Sequence, residues 1–495
     1  MHSDSMAIMI SVGARVAQLA AAAPDRPMVT CGERTLSRRE LDRRSNRLAR
    51  DYRSRGVKPG DVIVIALPND IAFVETVLAG LKLGATLLPI SPKLPAPERR
   101  AILDLVRPTL GIGLPADDGF AFQVLPTTFS PDEAISDEKL EEDAISRPPR
   151  GLTSGGSTGR PKIIFTTDLG ALDPDGPPGM HIELEDRVVI PGPLYHGMPF
   201  AYAYRTLLAG GHVVIMKRFD PVECLAAVER YAIHVLPVVP TMMSRIWDLD
   251  EAQRNAFDLS SLRMVVHSAS SCPAWLKERW IEWLGAGRIH EFYGSSERIG
   301  FTWITGTEWL SHKGSVGRPF DNVIRILDES GKELPPGEVG EIFMRHKQGV
   351  GTTYRYIGAE ALRQQNGYET VGDMGWVDED GYLFIADRRV DMIISGGANV
   401  YPAEVEAALE HHPGINDCAV IGLPDSDLGA RVHAIVYAVH PIAEQELRAW
   451  LHERLVGYKI PHSFEFVSQS LHDEAGKLRR SQLRNARLPH NPPRP

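Results

Sequence analysis

The sequence predicts an α/β protein: a large N-terminal domain on parallel sheets and a small α+β C-terminal domain. Three observations lead there. Apolar runs closed by glycine or proline alternate with helical patterns through the first half of the chain. From Val323 the texture changes to short strands with turn signals. Past Arg388 the chain restarts as a unit of about a hundred residues, large enough for a domain of its own. A length of 495 residues is itself too great for one hydrophobic core.

Each element has a local reason. Arg15–Ala23 is alanine-rich, reads as a helix and stops at Pro24. Ser37 to Arg55 places Leu41, Leu48 and Tyr52 on one helical face and arginines opposite. Asp61–Leu67 is a β-branched run between Gly60 and Pro68, a buried strand; Phe73–Leu83 follows as a helix and Ala85–Ile90 as a strand. A helix between two strands is the connection a parallel pair requires. Leu110–Arg150 is acidic, contains proline and lacks a period, so it reads as a surface excursion. Val188–Ile190, Val213–Met216, Val235–Val239 and Met264–Val266 are short apolar strands.

Later come Val323–Leu327, a turn at Asp328–Gly331, and Gly340–Arg345, with a further turn at Asp378-Glu379-Asp380-Gly381. The C-terminal unit reads as Met392–Ser395, a helix at Pro402–Glu410, strands at Asp417–Gly422 and Arg431–Val439, and a helix at Glu444–Leu455. The tail Leu488–Pro495 is proline-rich, with nothing to bury.

The net charge of −10 argues against a nucleic-acid surface, which needs a concentrated basic face. The four cysteines, Cys31, Cys224, Cys272 and Cys418, lie far apart, which excludes a disulfide framework or zinc motif and suits a reducing cytoplasm. Neither a secretion signal nor a membrane-spanning run is expected, since no stretch approaches the roughly 20 apolar residues a span needs.

Chemistry enters at Thr153-Ser154-Gly155-Gly156-Ser157-Thr158-Gly159-Arg160-Pro161-Lys162. Glycines let backbone N–H groups turn towards an anion, hydroxyls add donors, and lysine adds charge: the needs of a polyphosphate. Arg160-Pro161 before the lysine excludes a Walker loop, and the glycine spacing excludes a dinucleotide fingerprint. A flexible glycine-serine linker is the competing reading, weakened by the apolar continuation Ile163-Ile164-Phe165.

This loop resembles the signature of the acyl-adenylate-forming superfamily, the acyl-CoA synthetases and AMP-dependent ligases, and the family's other motifs follow in order along nearly the whole chain. The resemblance implies ATP, Mg2+ and, as acceptor, coenzyme A. It also implies a large domain over residues 1–386 with a small β-barrel-like part, a hinge at 387–391, and a mobile C-terminal domain at 392–495. Tyr293-Gly294-Ser295-Ser296-Glu297 resembles the nucleotide and metal motif: Tyr293 and Gly294 beside adenine, Ser296 on the α-phosphate, and Glu297, with Thr158, on magnesium. A hard cation suits that carboxylate. Asp373, after Gly372, resembles the aspartate that accepts the ribose hydroxyls, and Arg388 the hinge arginine that reaches the same ribose. Val390 departs from the common Asp or Lys, and its branched side chain stiffens the hinge. Ser395-Gly396-Gly397-Ala398-Asn399 resembles the loop lining a pantetheine tunnel. Tyr458–Pro461 and Gly476-Lys477 match the C-terminal motif, which makes Lys477 the catalytic lysine, bridging the substrate carboxylate and the α-phosphate.

Pro191–Phe200 occupies the place of the family's Pro-Leu-x-His segment, so His196 either serves the acid site or is structural. Phe200, Tyr202 and Met242 are candidate acyl-pocket walls, with core packing an equal alternative for each; Ser268 joins them as a candidate, and Gly396 and Gly397 belong to the tunnel. His267–Pro273 and Glu308–His312 look most like the bile acid–CoA ligase-like branch, which implies a bulky aromatic or polycyclic acid. The acceptor is then coenzyme A or, alternatively, an amine or carrier thiol, with the enzyme a monomer or homodimer.

Overall fold

The computed structural model describes residues 9–115, 119–142, 144–155, 161–388, 391–395, 398–425, 428–438, 440–473 and 476–488. Among them, a nine-stranded sheet forms the centre of the large domain. Its strands run in the order Arg318–Phe320, Phe301–Thr305, Ile289–Gly294, Met264–His267, Val235–Val238, Arg187–Ile190, His212–Ile215, Pro27–Cys31 and Arg34–Ser37. From Ile289–Gly294 to Pro27–Cys31 every neighbouring pair is parallel. Such strands are covered on both faces, which is why they read as unbroken apolar runs. One face packs on the helices Val12–Ala22, Ile71–Lys82 and Gly197–Leu208; the other packs on Pro221–Tyr231, Pro240–Trp247 and Ala274–Leu284.

Thr86–Pro89, Val62–Ile65, Leu110–Ile112 and Gln123–Leu125 form a second, fully parallel sheet. The helix Ile71–Lys82 crosses between its first two strands, as the sequence predicts. The last two strands fall within the predicted surface excursion, so that expectation is corrected: part of Leu110–Arg150 extends the sheet. Leu110 and Ile112 are buried there. Arg38–Ser54 is a helix started by a capping box between Ser37 and Glu40, and it turns Arg47 and Arg50 onto backbone carbonyls of 135–139.

Two antiparallel sheets follow. Tyr354–Ile357, Pro161–Thr166 and Gly151–Gly155 form one. Asn322–Leu327, Gly340–His346, Arg363–Gln365, Tyr368–Thr370, Asp373–Val377 and Leu383–Arg388 form the other. The small domain is a sheet of Ala398–Val400, Ile393–Ser395, Gly429–Tyr437, Asp417–Asp425 and Ser463–Val467 under the helices Pro402–Glu410 and Glu444–His452. Its own core holds Val405, Leu409, Val420, Val432, Leu447 and Leu451. The helix Glu444–His452 stops short of the predicted Leu455. No helix among the described residues is long and apolar enough to cross a membrane.

Candidate active site

Strand ends converge on one region. Gly151–Gly155 and Pro161–Thr166 pair antiparallel with Ser154 opposite Lys162 and Gly155 opposite Pro161, so the two ends of the glycine-rich segment sit on neighbouring strands. Thr153 lies on the first strand, half-buried. Gly156, Ser157, Thr158 and Gly159 lie outside the described residues, as do Gly396, Gly397 and Val390.

Lys162 does not stand alone. Its Nζ lies 3.1 Å from Glu297 Oε1 and donates to the Tyr356 hydroxyl at 3.0 Å, while Tyr356 donates to the same Glu297 oxygen. The ammonium sits 4.3 Å from the centroid of the Tyr356 ring, within cation–π range. Glu297 is buried. Burial alone would raise its pKa, but the Tyr356 hydroxyl and the Lys162 charge outweigh it and hold the carboxyl below its usual range. Burial followed by the Glu297 charge drives the Tyr356 phenol upward, so it stays a donor.

Glu297 follows the strand Ile289–Gly294. The Ser295–Arg298 turn closes by Arg298 N–H donating to the Ser295 carbonyl at 3.1 Å, with Arg298 at φ 58. Ser296 is half-buried in this turn. On the same strand, the Tyr293 hydroxyl donates to Asp373 Oδ2 at 2.5 Å. Asp373 opens the strand Asp373–Val377, opposite Arg388 in register, and is buried. Two expected ribose-side residues therefore meet across one strand pair, and the adenine-side tyrosine is tied to them. A Cβ on Gly294 would lie 2.3 Å from the Phe301 ring, so a larger residue there would force that ring to shift.

The acid-side segment is braced from the second parallel sheet. The Asn69 amide donates to the carbonyls of Gly192 and Met216, both at 2.9 Å, and accepts from Leu194 N–H at 2.8 Å. This frames Pro191–Leu194 and delivers His196 to the N-terminus of the helix Gly197–Leu208, its ring 4.5 Å from that of Tyr195. Gly192 faces Pro199 and Met242, whose atoms would lie 3.0 and 3.7 Å from a Cβ there. Met242 is thus beside the segment, and Ser268 is buried just after the strand Met264–His267. Phe200 turns instead into the core, edge-on to Phe73 at 6.4 Å with the Arg150 guanidinium 4.3 Å from its ring. Tyr202 is fully buried in that core too.

The small domain supplies the remaining piece. Asp473 is bonded to the segment that resumes at Gly476: Gly476 N–H donates to Asp473 O at 2.8 Å, Asp473 N–H to Lys477 O at 3.0 Å, and Lys477 N–H to Asp473 Oδ1 at 3.0 Å. Gly476 has φ 70, and a Cβ on it would lie 3.2 Å from Val239 Cβ and 3.4 Å from Thr241 Oγ1. The turn therefore rests on the large domain just before Met242, and Lys477 is exposed beside that contact.

Three further residues join the site that no motif pointed to: Tyr356, Asn69 and Thr353, whose Oγ1 donates to the Glu297 carbonyl at 2.7 Å. Among the described residues no group of three or more His, Cys, Asp or Glu is placed to hold a metal. A site with fewer than three such ligands among the described residues, Glu297 one of them, fits a magnesium ion carried in by phosphate oxygens and water better than a resident one.

Residues 16–355 match the AMP-binding enzyme family, and residues 404–477 match the AMP-binding enzyme C-terminal domain. The chain belongs to that family. It is similar to feruloyl-CoA synthase of Amycolatopsis sp., 32% identical with 93% of this chain and 96% of the relative covered. It is also similar to 2-succinylbenzoate–CoA ligase of Bacillus licheniformis, 30% identical with 94% and 98% covered. Among solved structures, o-succinylbenzoate CoA synthetase from Bacillus subtilis with its acyl-adenylate intermediate superposes with a TM-score of 0.81 at 26% identity, covering 97% of this chain and 99% of that one.

Proposed function

We propose that this enzyme activates a bulky aromatic or polycyclic carboxylic acid with ATP, releasing pyrophosphate, and passes the acyl group from the adenylate to the thiol of coenzyme A. It is an AMP-forming acid–thiol ligase that uses ATP, Mg2+ and coenzyme A. The observation that carries the site reading is the Lys162–Glu297–Tyr356 cluster, and the Tyr293–Asp373 pair and the Lys477 turn seated on Val239 and Thr241 support it.

Attack of a carboxylate on the α-phosphorus brings two anions together, so the protein's task is to neutralise charge and align the groups. In this reading the glycine-rich segment with Thr153 and Lys162 receives the outer phosphates, Ser296 the α-phosphate, and Asp373 with Arg388 the ribose. Glu297 holds the magnesium ion, which when bound draws charge from the phosphate oxygens. Lys477 bridges the two anions during the first half-reaction, with His196 beside the acid. Residues 387–391 serve as the hinge between a large domain at 1–386 and a small one at 392–495, and Gly396 and Gly397 line the way in for the thiol. The enzyme works in the cytoplasm as a monomer or homodimer.

The test is a pyrophosphate-release screen of aromatic and polycyclic acids, repeated with coenzyme A and with amines. Acyl-CoA formation with an aromatic acid is expected. Amide formed without coenzyme A would replace the acceptor, and no turnover with any acid would overturn the reading.

A further inference from the structure

Tyr356 belongs to none of the sequence motifs, yet its hydroxyl donates directly to the carboxylate expected to face the metal. The strand Tyr354–Ile357 pairs with Pro161–Thr166 so that Tyr356 stands opposite Ile164 and Tyr354 opposite Thr166. Alternation along both strands puts Lys162, Ile164, Tyr354 and Tyr356 on one face. Tyr354 anchors that face: its hydroxyl donates to Glu369 Oε1 at 3.0 Å and accepts from Leu362 N–H at 2.9 Å. Glu369 is fully buried and also takes Gly351 N–H at 2.9 Å, so the strand's start is fixed from below. Glu297 is then held twice by this strand region, at its carbonyl by Thr353 and at its carboxylate by Tyr356.

We propose that Tyr356 is a positioning residue for Glu297, holding the carboxylate in place when the nucleotide draws Lys162 away. Here Lys162 sits on both Glu297 and Tyr356, so the site is neutralised from within. A buried carboxylate needs such a partner. Arriving phosphates compete for the same ammonium, and a lysine is a flexible point charge able to answer them. The phenol cannot follow, because it is fixed to its strand; it would remain on Oε1 and keep the carboxylate oriented toward a bound magnesium ion once the ammonium has moved to the phosphates. This inference rests on the reading that Glu297 faces the nucleotide's metal.

The experiment is equilibrium binding of ATP to the full chain, by calorimetry, across a magnesium titration, with AMP binding alongside. Tyr356→Phe keeps the ring beside Lys162 and removes only the hydroxyl. Loss of one hydrogen bond to a charged group predicts Mg·ATP binding weakened by about tenfold, half-saturation at a correspondingly higher magnesium concentration, and AMP affinity within about twofold of the parent. Unchanged magnesium dependence would overturn the proposal. So would equal weakening of ATP and AMP, which a general loosening produces. Glu297→Gln separates the underlying reading: if it leaves the magnesium dependence intact, Glu297 itself does not face the metal.

Discussion

The two lysines of the site are held in opposite ways. Lys162 grows from the second strand of an antiparallel pair, its ammonium seated on a buried carboxylate and over a tyrosine ring. Lys477 stands exposed on a turn of the small domain that touches the large one through a glycine. One is fixed before any ligand arrives; the other depends on where a whole domain rests. In the proposed reaction this divides the labour. The phosphate half of the site is prepared, and the half that joins carboxylate to phosphate is assembled by domain placement and can be taken away again.

The sharpest way to break the contrast is Lys477→Ala. ATP–pyrophosphate exchange should fall by roughly 100- to 1000-fold, the scale of losing one preorganised charge at the reacting centre, while transfer from supplied acyl-AMP stays within a few-fold. Normal exchange would remove Lys477 from the chemistry. Asp373→Asn tests the prepared half. It exchanges a charged acceptor for an amide at the Tyr293 hydroxyl, and the KM for ATP should rise by about tenfold with a smaller change in kcat.

Gly476→Ala probes the contact between the halves. Alanine is strained at φ 70 and meets Val239, so adenylation should drop by about five- to tenfold and transfer from acyl-AMP by less. Equal losses in both half-reactions would show that the contact is not specific to the first.

The smallest effect concerns the small domain's own stability. Burial, and then the charges of Glu406 and Asp417, raise Glu410 to about 8. A carboxyl raised on folding contributes stability that is present at pH below its ordinary value and is lost as pH rises through about 8. Glu410→Gln, neutral throughout, should flatten that loss, so that its melting temperature gains on the parent between pH 5 and pH 9. Parallel curves would place the titration elsewhere.

What could be read from the sequence follows from how local its causes are. The strand Val62–Ile65 and the helix Ile71–Lys82 are announced by a β-branched run and an apolar stretch between breakers, and they are present within a residue or two. Leu110–Ile112 and Gln123–Leu125 escaped because each is three residues long, too short for any period, and owes its state to strands elsewhere in the chain. The same holds in the site. Lys162 sits in a glycine loop whose residue types state its chemistry, whereas Glu297, Asp373 and Lys477 stand out only through the ordered family motifs that the chain resembles. Tyr356 is 59 residues from Glu297 and 194 from Lys162, and its neighbours Arg355 and Ile357 face away; nothing local marks it. Asp373, alone, reads as a turn residue after Gly372, yet it opens a strand and gains its partner from Tyr293, 80 residues away.

Asn69 carries a consequence for engineering. It belongs to the connection between Val62–Ile65 and Ile71–Lys82, yet its three hydrogen bonds fix Gly192, Leu194 and Met216, just past the strand ends of the neighbouring sheet. The frame of the acid-side segment is therefore a joint between two sheets, while Met242 and Ser268 are inserts within it. New acids are best sought by exchanging the inserts one at a time. A segment transplanted whole from a relative must bring its own residue at position 69, or it will arrive without the beam it hangs from.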